Sequence, residues 1–412
     1  MIYGLIAEKL GHSFSKDIHS RLFGYDYELK ELPRDELDAF LKKREFKGIN
    51  VTIPYKESVI PYLDYISDEA AAIGAVNTIV NDGGILKGYN TDFSGLCALI
   101  DKNRIELKDK KVLILGSGGT SKTAQAVARY KGARAVLRVS REAKADCITY
   151  TEVLSHHTDA DVIINTTPVG MYPNIGRSPI DLAPFSRLLA VVDVVYNPLR
   201  TKLVCDAKGL GIPAVGGLYM LVRQAADAGE KFLGEGVTEQ KVDTVFERLF
   251  RSKQNIVLIG MPGSGKTTVG RLIAEKTGMT FIDSDEEIIK REARSIPEIF
   301  RLHGEEGFRR IESEVIASLS SLQNAVIATG GGAVLNAQNI ELLKENGRVY
   351  FIDRALEDIV ATDDRPLSSN RADLKKRYDE RYSLYCSRSD VTVAVTGEAQ
   401  KVAQNILGDF YL

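Results

Sequence analysis

"NIVLIGMPGSGKTTVGRL", residues 255–272, is a short apolar run, then a glycine-rich turn, then the start of an amphipathic stretch. Gly260 to Thr267 satisfies GxxxxGK[ST] after a strand and before a helix, the setting in which that pattern carries meaning. There the backbone N–H groups around Gly263, Ser264, Gly265 and Thr268 cradle phosphates, Lys266 reaches the β and γ phosphates, and Thr267 holds Mg²⁺. The stretch therefore predicts a parallel α/β domain that binds ATP. It begins well past the middle of a chain of 412 residues, which is long enough for two or three domains.

A second glycine loop of different grammar, "KVLILGSGGTSKTA" at 111–124, lies upstream. Gly116, Ser117, Gly118, Gly119 and Thr120 form a strand-to-helix turn that lets the backbone approach a pyrophosphate. Ser121 stands where GxGxxG has its last glycine. The next strand ends in Ser140 and Arg141 rather than in an acidic residue, which favours a 2′-phosphate and so NADP over NAD. A solvated arginine is the alternative reading.

Short β-branched runs alternate with amphipathic stretches along the whole chain ("NVTI", "NTIV", "KVLILG", "DVIINT", "VVDVVY", "NIVLIG", "NAVIATG", "RVYFID"). Alternation of this kind implies α/β architecture with parallel sheets. A helical stretch from Gly216 to about Phe250 and the polar, pattern-free "RSKQN" mark the main boundary. The expected division is a substrate-binding α/β lobe at 1–102 with returning helices at about 237–250, a nucleotide lobe at 103–236, and a P-loop domain at 254–412.

The net charge of −2 and the absence of a basic excess give no sign of a nucleic-acid partner. Cys97, Cys147, Cys205 and Cys386 are isolated and form no zinc-ligand pattern, so reduced thiols are expected. No run approaches membrane-spanning length, the apolar patch in "MIYGLIAEKLGHS" is too short for a signal-peptide core, and the cytoplasm is the expected location.

Seven further motifs flank the first loop: "GHSFS" (11–15), "NVTIPYK" (50–56), "GAVNT" (74–78), "GYNTD" (88–92), "NTTPVGM" (165–171), "YNPLRT" (196–201) and "GLYMLVRQAA" (217–226). Ketone reduction needs a hydride donor and a group that protonates the developing alkoxide. Lys56, oriented by Asp92, is the candidate. In identity and order these motifs resemble shikimate dehydrogenases, with a Rossmann-type NADP lobe. The resemblance implies Ser13, Ser15, Thr52, Lys56, Asn77, Asp92, Tyr196 and Gln224 as the shikimate site and adds Gly217 to the NADP site. Lys16 departs from the family's usual proline.

Around the second loop, "FIDSD" places Asp283 and Asp285 two apart, on one side if the strand continues. One suits a metal and the other an acceptor hydroxyl. "GEEGFRRIE", "ATGGGAVL", "RPL" and "RYSLY" contribute Arg309, Gly330 to Gly332, Arg365 and Arg381. Residues 254–412 resemble shikimate kinase. That resemblance implies Asp285, Arg309, Gly330, Gly331, Gly332 and Arg381 as a second shikimate site, Arg365 in a short lid over ATP, and Thr267 with Asp283 at Mg²⁺.

The combined expectation is a bifunctional enzyme that reduces 3-dehydroshikimate with NADPH and phosphorylates shikimate with MgATP, toward chorismate and the aromatic amino acids. A domain kept only for regulation, or a quinate/shikimate dehydrogenase of catabolic type using NAD, are the alternatives.

Overall fold

The computed structural model describes residues 2–10, 13–144, 146–359 and 371–411. They divide into two compact units, one of Met1–Met171, Arg177–Asn197 and Leu203–Phe250, the other of Tyr172–Gly176, Pro198–Lys202 and Arg251–Leu412. The two short segments had been expected in the nucleotide lobe. The first lies in a loop, and the second is a loop that ends at the first residue of the helix Lys202–Gly209.

The first unit opens with the strands β1 (Tyr3–Ala7), β2 (Glu28–Glu31), β3 (Gly48–Val51), β4 (Tyr65–Ile66), β5 (Thr78–Asp82) and β6 (Ile85–Tyr89), in the order β2-β1-β3-β5-β6-β4. The sheet is mixed, against the parallel expectation, because β5 runs antiparallel to both β3 and β6. The cause is local. Gly83 and Gly84 take φ of 59° and 96°, the left-handed conformations a tight hairpin turn needs, so "NDGG" reverses the chain. Two reversals leave β3 and β6 pointing the same way. The end of β3, the start of β5 and the end of β6 therefore meet at one sheet edge, where Asn50 pairs with Thr78 and Thr78 with Tyr89.

The apolar start of the chain, read only as too short for a signal, is β1, an interior strand between β2 and β3, with Ile6 and Ala7 fully buried.

The nucleotide lobe holds β7 (Lys111–Leu115), β8 (Ala135–Ser140), β9 (Ile148–Thr149), β10 (Val162–Asn165), β11 (Ala190–Asp193) and β12 (Ala214–Val215), in the order β12-β11-β10-β7-β8-β9. Every pairing in it is parallel. β7, β8 and β10 all end on one side, beside the switch in strand order where doubly wound sheets bind ligands.

The chain returns to the first lobe earlier than the sequence suggests. The helix Leu218–Leu233 packs on Thr91–Lys102 and on Ser15–Phe23. Glycine makes this approach possible. A Cβ on Gly95 would lie 2.8 Å from the Met220 carbonyl oxygen and 3.0 Å from Gln224 Cβ, and one on Gly229 would meet the Phe23 ring. The supposed linker is also largely helical, since Glu239–Lys253 runs on to one residue short of the next strand.

The second unit has β13 (Asn255–Ile259), β14 (Thr280–Asp283), β15 (Ala325–Ala328), β16 (Gly347–Asp353) and β17 (Val391–Ala394), all parallel, in the order β14-β15-β13-β16-β17. The central β13 is buried at every residue, which explains its unbroken apolar run. Among the described residues, no helix is long and apolar enough to cross a membrane.

Gly95→Ala should destabilise the first unit by about 1–3 kcal/mol, because the added methyl meets backbone that cannot step aside. A lower urea midpoint for that unit checks this; an unchanged midpoint would contradict the close helix approach.

Candidate active sites

Lys56 leaves the end of β3 and Asp92 begins the helix after β6, so the common edge brings them together. Lys56 Nζ lies 2.5 Å from Asp92 Oδ2, and the two side chains are only 14% and 12% exposed. "GAVNT" holds both in place. The Val76 N–H donates to the Lys56 carbonyl at 2.8 Å, and Asn77 Oδ1 accepts from the Thr91 N–H at 2.7 Å. Asn90 caps the same helix by accepting from the Phe93 N–H.

Lys56 also lines a cleft of about 650 Å³ together with Gly116 to Thr120, Ser140, Arg141, Tyr150 and Thr166 to Val169. Gly116 has φ of 122°, and a Cβ there would meet Thr166 Oγ1 at 2.5 Å. A Cβ on Gly119 would be 3.8 Å from Lys56 Cδ, so the amine's stem runs beside the loop. Ser121, where the pattern calls for glycine, is buried and turns its hydroxyl onto the Gly118 carbonyl at 2.6 Å. The loop then feeds the helix Gly119–Tyr130, whose first N–H groups have no intrahelical acceptor. An open glycine turn at a helix start, with cations at the far end, fits a phosphorylated dinucleotide.

Lys144 was missed from sequence. Its Nζ donates to Ser117 Oγ at 3.0 Å, which puts a second cation near Arg141; the clue was "REAK" directly after the strand. Gly217 is not among the residues lining this cleft. It precedes Leu218–Leu233, and a Cβ there would lie 2.1 Å from the Val194 carbonyl oxygen, so the close approach of these two backbones requires glycine.

The other shikimate candidates of this unit lie outside the dinucleotide cleft. Ser13 Oγ accepts from the Ser15 N–H at 3.3 Å, and the intervening Phe14 packs on Tyr196 with ring centroids 5.4 Å apart. Thr52 follows β3 directly, with its N–H on the Ile6 carbonyl. Gln224 faces Gly95, three residues on from Asp92, and its Nε2 donates to the Leu221 carbonyl. Gly11 and His12 of "GHSFS" lie outside the described residues.

In the second unit the strand does not continue past Asp283, contrary to the sequence reading. Asp283 caps the helix Ser284–Glu292 by accepting from the Asp285 N–H, and that turn, not strand periodicity, brings both carboxylates to one pocket. The pocket, about 360 Å³, is lined by Gly263, Gly265 to Thr268, Asp283, Asp285, Arg309, Gly330 to Gly332 and Arg381. Gly263 and Gly265 take φ of 80° and 99°, and Ser264 keeps a buried hydroxyl with no partner among the described residues.

Lys266 Nζ lies on the Gly260 and Met261 carbonyls at 3.0 and 2.9 Å, and Thr267 Oγ1 donates to Asp283 Oδ2 at 2.8 Å. One hydroxyl and one carboxylate suit Mg²⁺, which keeps waters and phosphate oxygens as its other ligands. Among the described residues there is no larger cluster of acidic, His or Cys ligands.

"GGG" is a demand for space. A Cβ on Gly330 would lie 2.5 Å from Asp285 Oδ1, one on Gly331 would strike Pro262, and one on Gly332 would fall within 1.9 Å of Arg309 Nη1. Arg309 and Arg381 each keep a buried Nε–H with no acceptor among the described residues, the donor set a carboxylate would complete.

Two features escaped the sequence reading. Glu312, 1% exposed, accepts from Arg309 Nη1 at 2.7 Å, and Phe300 stacks on Phe308 at 4.5 Å beside it. The i,i+3 spacing in "RRIE" was the available signal. Arg365 and the expected lid lie outside the described residues.

Burial pushes the Asp285 carboxyl up to about 6, helped by Asp283 and Glu312 and opposed by Lys266 and Arg309. Burial raises Glu312 as well.

Residues 5–79 match the family model "Shikimate dehydrogenase substrate binding domain", and residues 262–410 match "Shikimate kinase". The NADP(+) shikimate dehydrogenase of Clostridium beijerinckii is 38% identical over 243 residues, which is 55% of this chain and 90% of that protein. The chain belongs to the shikimate dehydrogenase family.

A crystal structure of a chorismate mutase/shikimate 5-dehydrogenase fusion protein from Clostridium acetobutylicum matches 60% of the chain and 96% of its own, at 40% identity and TM-score 0.58. The Thermus thermophilus shikimate 5-dehydrogenase, solved with NADP(H) and shikimate, matches 60% of the chain and 99% of its own, at 29% identity and TM-score 0.53. This shikimate dehydrogenase thus carries a shikimate kinase domain at 262–410, a region beyond the dehydrogenase-related part.

The raised Asp285 has a consequence for stability. Its proton is held more tightly in the folded state, at about 6, than in the unfolded chain, at roughly 3.9, so its contribution to stability falls as pH rises through that window. Asp285→Asn should raise the denaturation temperature of the kinase unit in calorimetry of the full chain, most at pH 8 and least near pH 4. An equal or lower value at pH 8 would contradict the raised carboxyl.

Proposed function

We propose that the chain performs two consecutive steps on one carbon skeleton: NADPH-dependent reduction of 3-dehydroshikimate to shikimate, then MgATP-dependent phosphorylation of shikimate to shikimate 3-phosphate. The observation that carries this reading is the joining, in one chain, of a dehydrogenase-family unit and a shikimate kinase domain, each with its acid–base and anion-binding groups in reach of one another. NADPH supplies the hydride and MgATP the transferred phosphoryl group.

In the first step Lys56 Nζ gives a proton to the carbonyl oxygen as hydride reaches the carbonyl carbon, and its positive charge stabilises the alkoxide before that. Asp92, at 2.5 Å, aims the amine. Ser13, Ser15, Thr52, Asn77, Tyr196 and Gln224 bind the substrate's hydroxyl and carboxylate groups. Ser117 to Thr120 hold the cofactor's pyrophosphate, and Arg141 with Lys144 holds its 2′-phosphate, which favours NADPH over the NAD of a catabolic quinate-type enzyme.

In the second step Arg309 and Arg381 clamp the shikimate carboxylate, and Gly330 to Gly332 let the ring close on the backbone. Asp285, once ionised, accepts the proton from the attacking hydroxyl, while Lys266 stabilises charge on the transferred group. Arg365, outside the described residues, is assigned to the ATP phosphates by the resemblance to shikimate kinase. Thr267 and Asp283 hold the metal. Aromatic amino acid biosynthesis in the cytoplasm goes with this reading.

Reciprocal substitutions test it. Lys56→Ala should lower the reductase kcat by about 10²–10⁴-fold and leave the kinase active, and Lys266→Ala should do the reverse. Arg141→Ala should raise KM for NADPH roughly tenfold with kcat kept. Loss of both activities from either lysine change would overturn the assignment of separate sites.

Kinase kcat/KM should fall as pH drops through about 6, because Asp285 must be ionised to accept a proton. A flat acid limb would remove Asp285 as the base.

A further inference from the structure

Beneath the Lys56–Asp92 pair lies a set of buried polar side chains of which only Asn77 enters the steps above. Asn50 ends the ladder of β3, and Thr78 begins β5 opposite it. The Tyr27 hydroxyl donates to Asn50 Oδ1 at 2.7 Å. Asn50 Nδ2 donates to Thr78 Oγ1 at 3.0 Å and to the Asn77 carbonyl at 3.2 Å. Thr78 Oγ1 then lies 3.0 Å from Asn77 Oδ1 and 3.1 Å from Thr91 Oγ1. Tyr27, Asn50, Asn77, Thr78 and Thr91 are all buried, Thr78 completely.

We propose that Thr78 is a positioning residue for the reductase, its hydroxyl fixing the Asn77 amide and the start of the helix that carries Asp92. The proposal rests on the dehydrogenase reading above.

Proton accounting supports it. A hydroxyl has one hydrogen to give and two lone pairs to receive. Thr78 receives from Asn50, whose orientation the tyrosine hydroxyl sets by occupying its oxygen, so the Thr78 proton is free to go to Asn77 Oδ1. That oxygen also accepts from the Thr91 N–H at 2.7 Å, which settles which end of the amide faces the helix. Asn77 Nδ2 donates one hydrogen to Thr91 Oγ1 at 3.1 Å. Its second N–H has no acceptor among the described residues and is the one left for a substrate hydroxyl.

Thr91 precedes Asp92, so the same bonds fix where the carboxylate stands against Lys56. Without the Thr78 hydroxyl, Asn50 would keep an unmatched donor, and the Asn77 oxygen would lose one of the partners that stop it from turning over. Buried polar networks of this kind hold one arrangement only while every member is satisfied.

Thr78→Val keeps the shape and removes the hydroxyl; Thr78→Ser keeps the hydroxyl and removes a methyl. Reductase kinetics on the full chain, with wild type alongside to establish the reaction itself, should show kcat/KM for 3-dehydroshikimate down about tenfold or more in the valine variant. KM for NADPH should stay within twofold, and the serine variant should recover most of the loss.

Tyr27→Phe, which removes the distal hydroxyl and keeps the ring, should give a smaller loss of the same kind. It stands in for the valine variant should that one fail to fold. A valine variant with wild-type kcat/KM, a serine variant as impaired as valine, or a matching rise in KM for NADPH would each overturn the proposal. So would a folded Tyr27→Phe variant with wild-type kinetics in the absence of a folded valine variant.

Discussion

The 2.5 Å contact between Lys56 and Asp92 sets terms for the whole first unit. Two charges withdrawn largely from water are tolerated only when each is the other's partner and the surroundings hold the geometry, because desolvation costs several kcal/mol for each fully buried ion. The mixed sheet supplies that geometry. A purely parallel sheet would need a crossover between β5 and β6; the Gly83–Gly84 hairpin reverses the chain at once, so that β6, across β5, ends on the same side of the sheet as β3. The helix Leu218–Leu233 then braces Thr91–Lys102 from behind through Gly95. Lys56, Asp92 and the Gly116–Thr120 turn come within reach of one another because of how strand ends are shared.

The second unit solves a different problem with the same materials. Arg309, Arg377, Arg381 and three carboxylates line one pocket, and the glycine run makes room for them: each added Cβ at 330–332 would strike Pro262, Asp285 or Arg309. Crowding has an electrostatic cost that appears in Asp285, whose carboxyl is held near 6 by burial and by its acidic neighbours. A group destabilised in the folded protein is also poised to take a proton near neutral pH. The base role proposed for Asp285 would thus pull against stability at this one residue.

Residues whose chemistry is local were legible in the sequence. Gly260 to Thr267 announces its role through a fixed spacing, and Lys56, Asp92, Arg309 and Arg381 sit inside motifs. What could not be read depends on contacts across the chain. The hairpin at 81–84 was hidden among short apolar runs that alternation alone reads as parallel. Asp283 and Asp285 were joined on a false premise, since a cap and not a strand unites them. Lys144 lacked any pattern beyond adjacency to a known strand, and Glu312 only its i,i+3 spacing from Arg309. Thr78 lies within a quoted motif, yet its importance lies in Asn50, Asn77 and Thr91, which only the folded sheet edge gathers around it.

The account stands most directly on a mass-spectrometric time course of the intact chain with 3-dehydroshikimate, NADPH, ATP and Mg²⁺. Shikimate should appear first and then give way to shikimate 3-phosphate in the same tube. Accumulation that stops at shikimate would contradict the kinase half, and persistence of 3-dehydroshikimate with NADPH unspent would contradict the reductase half.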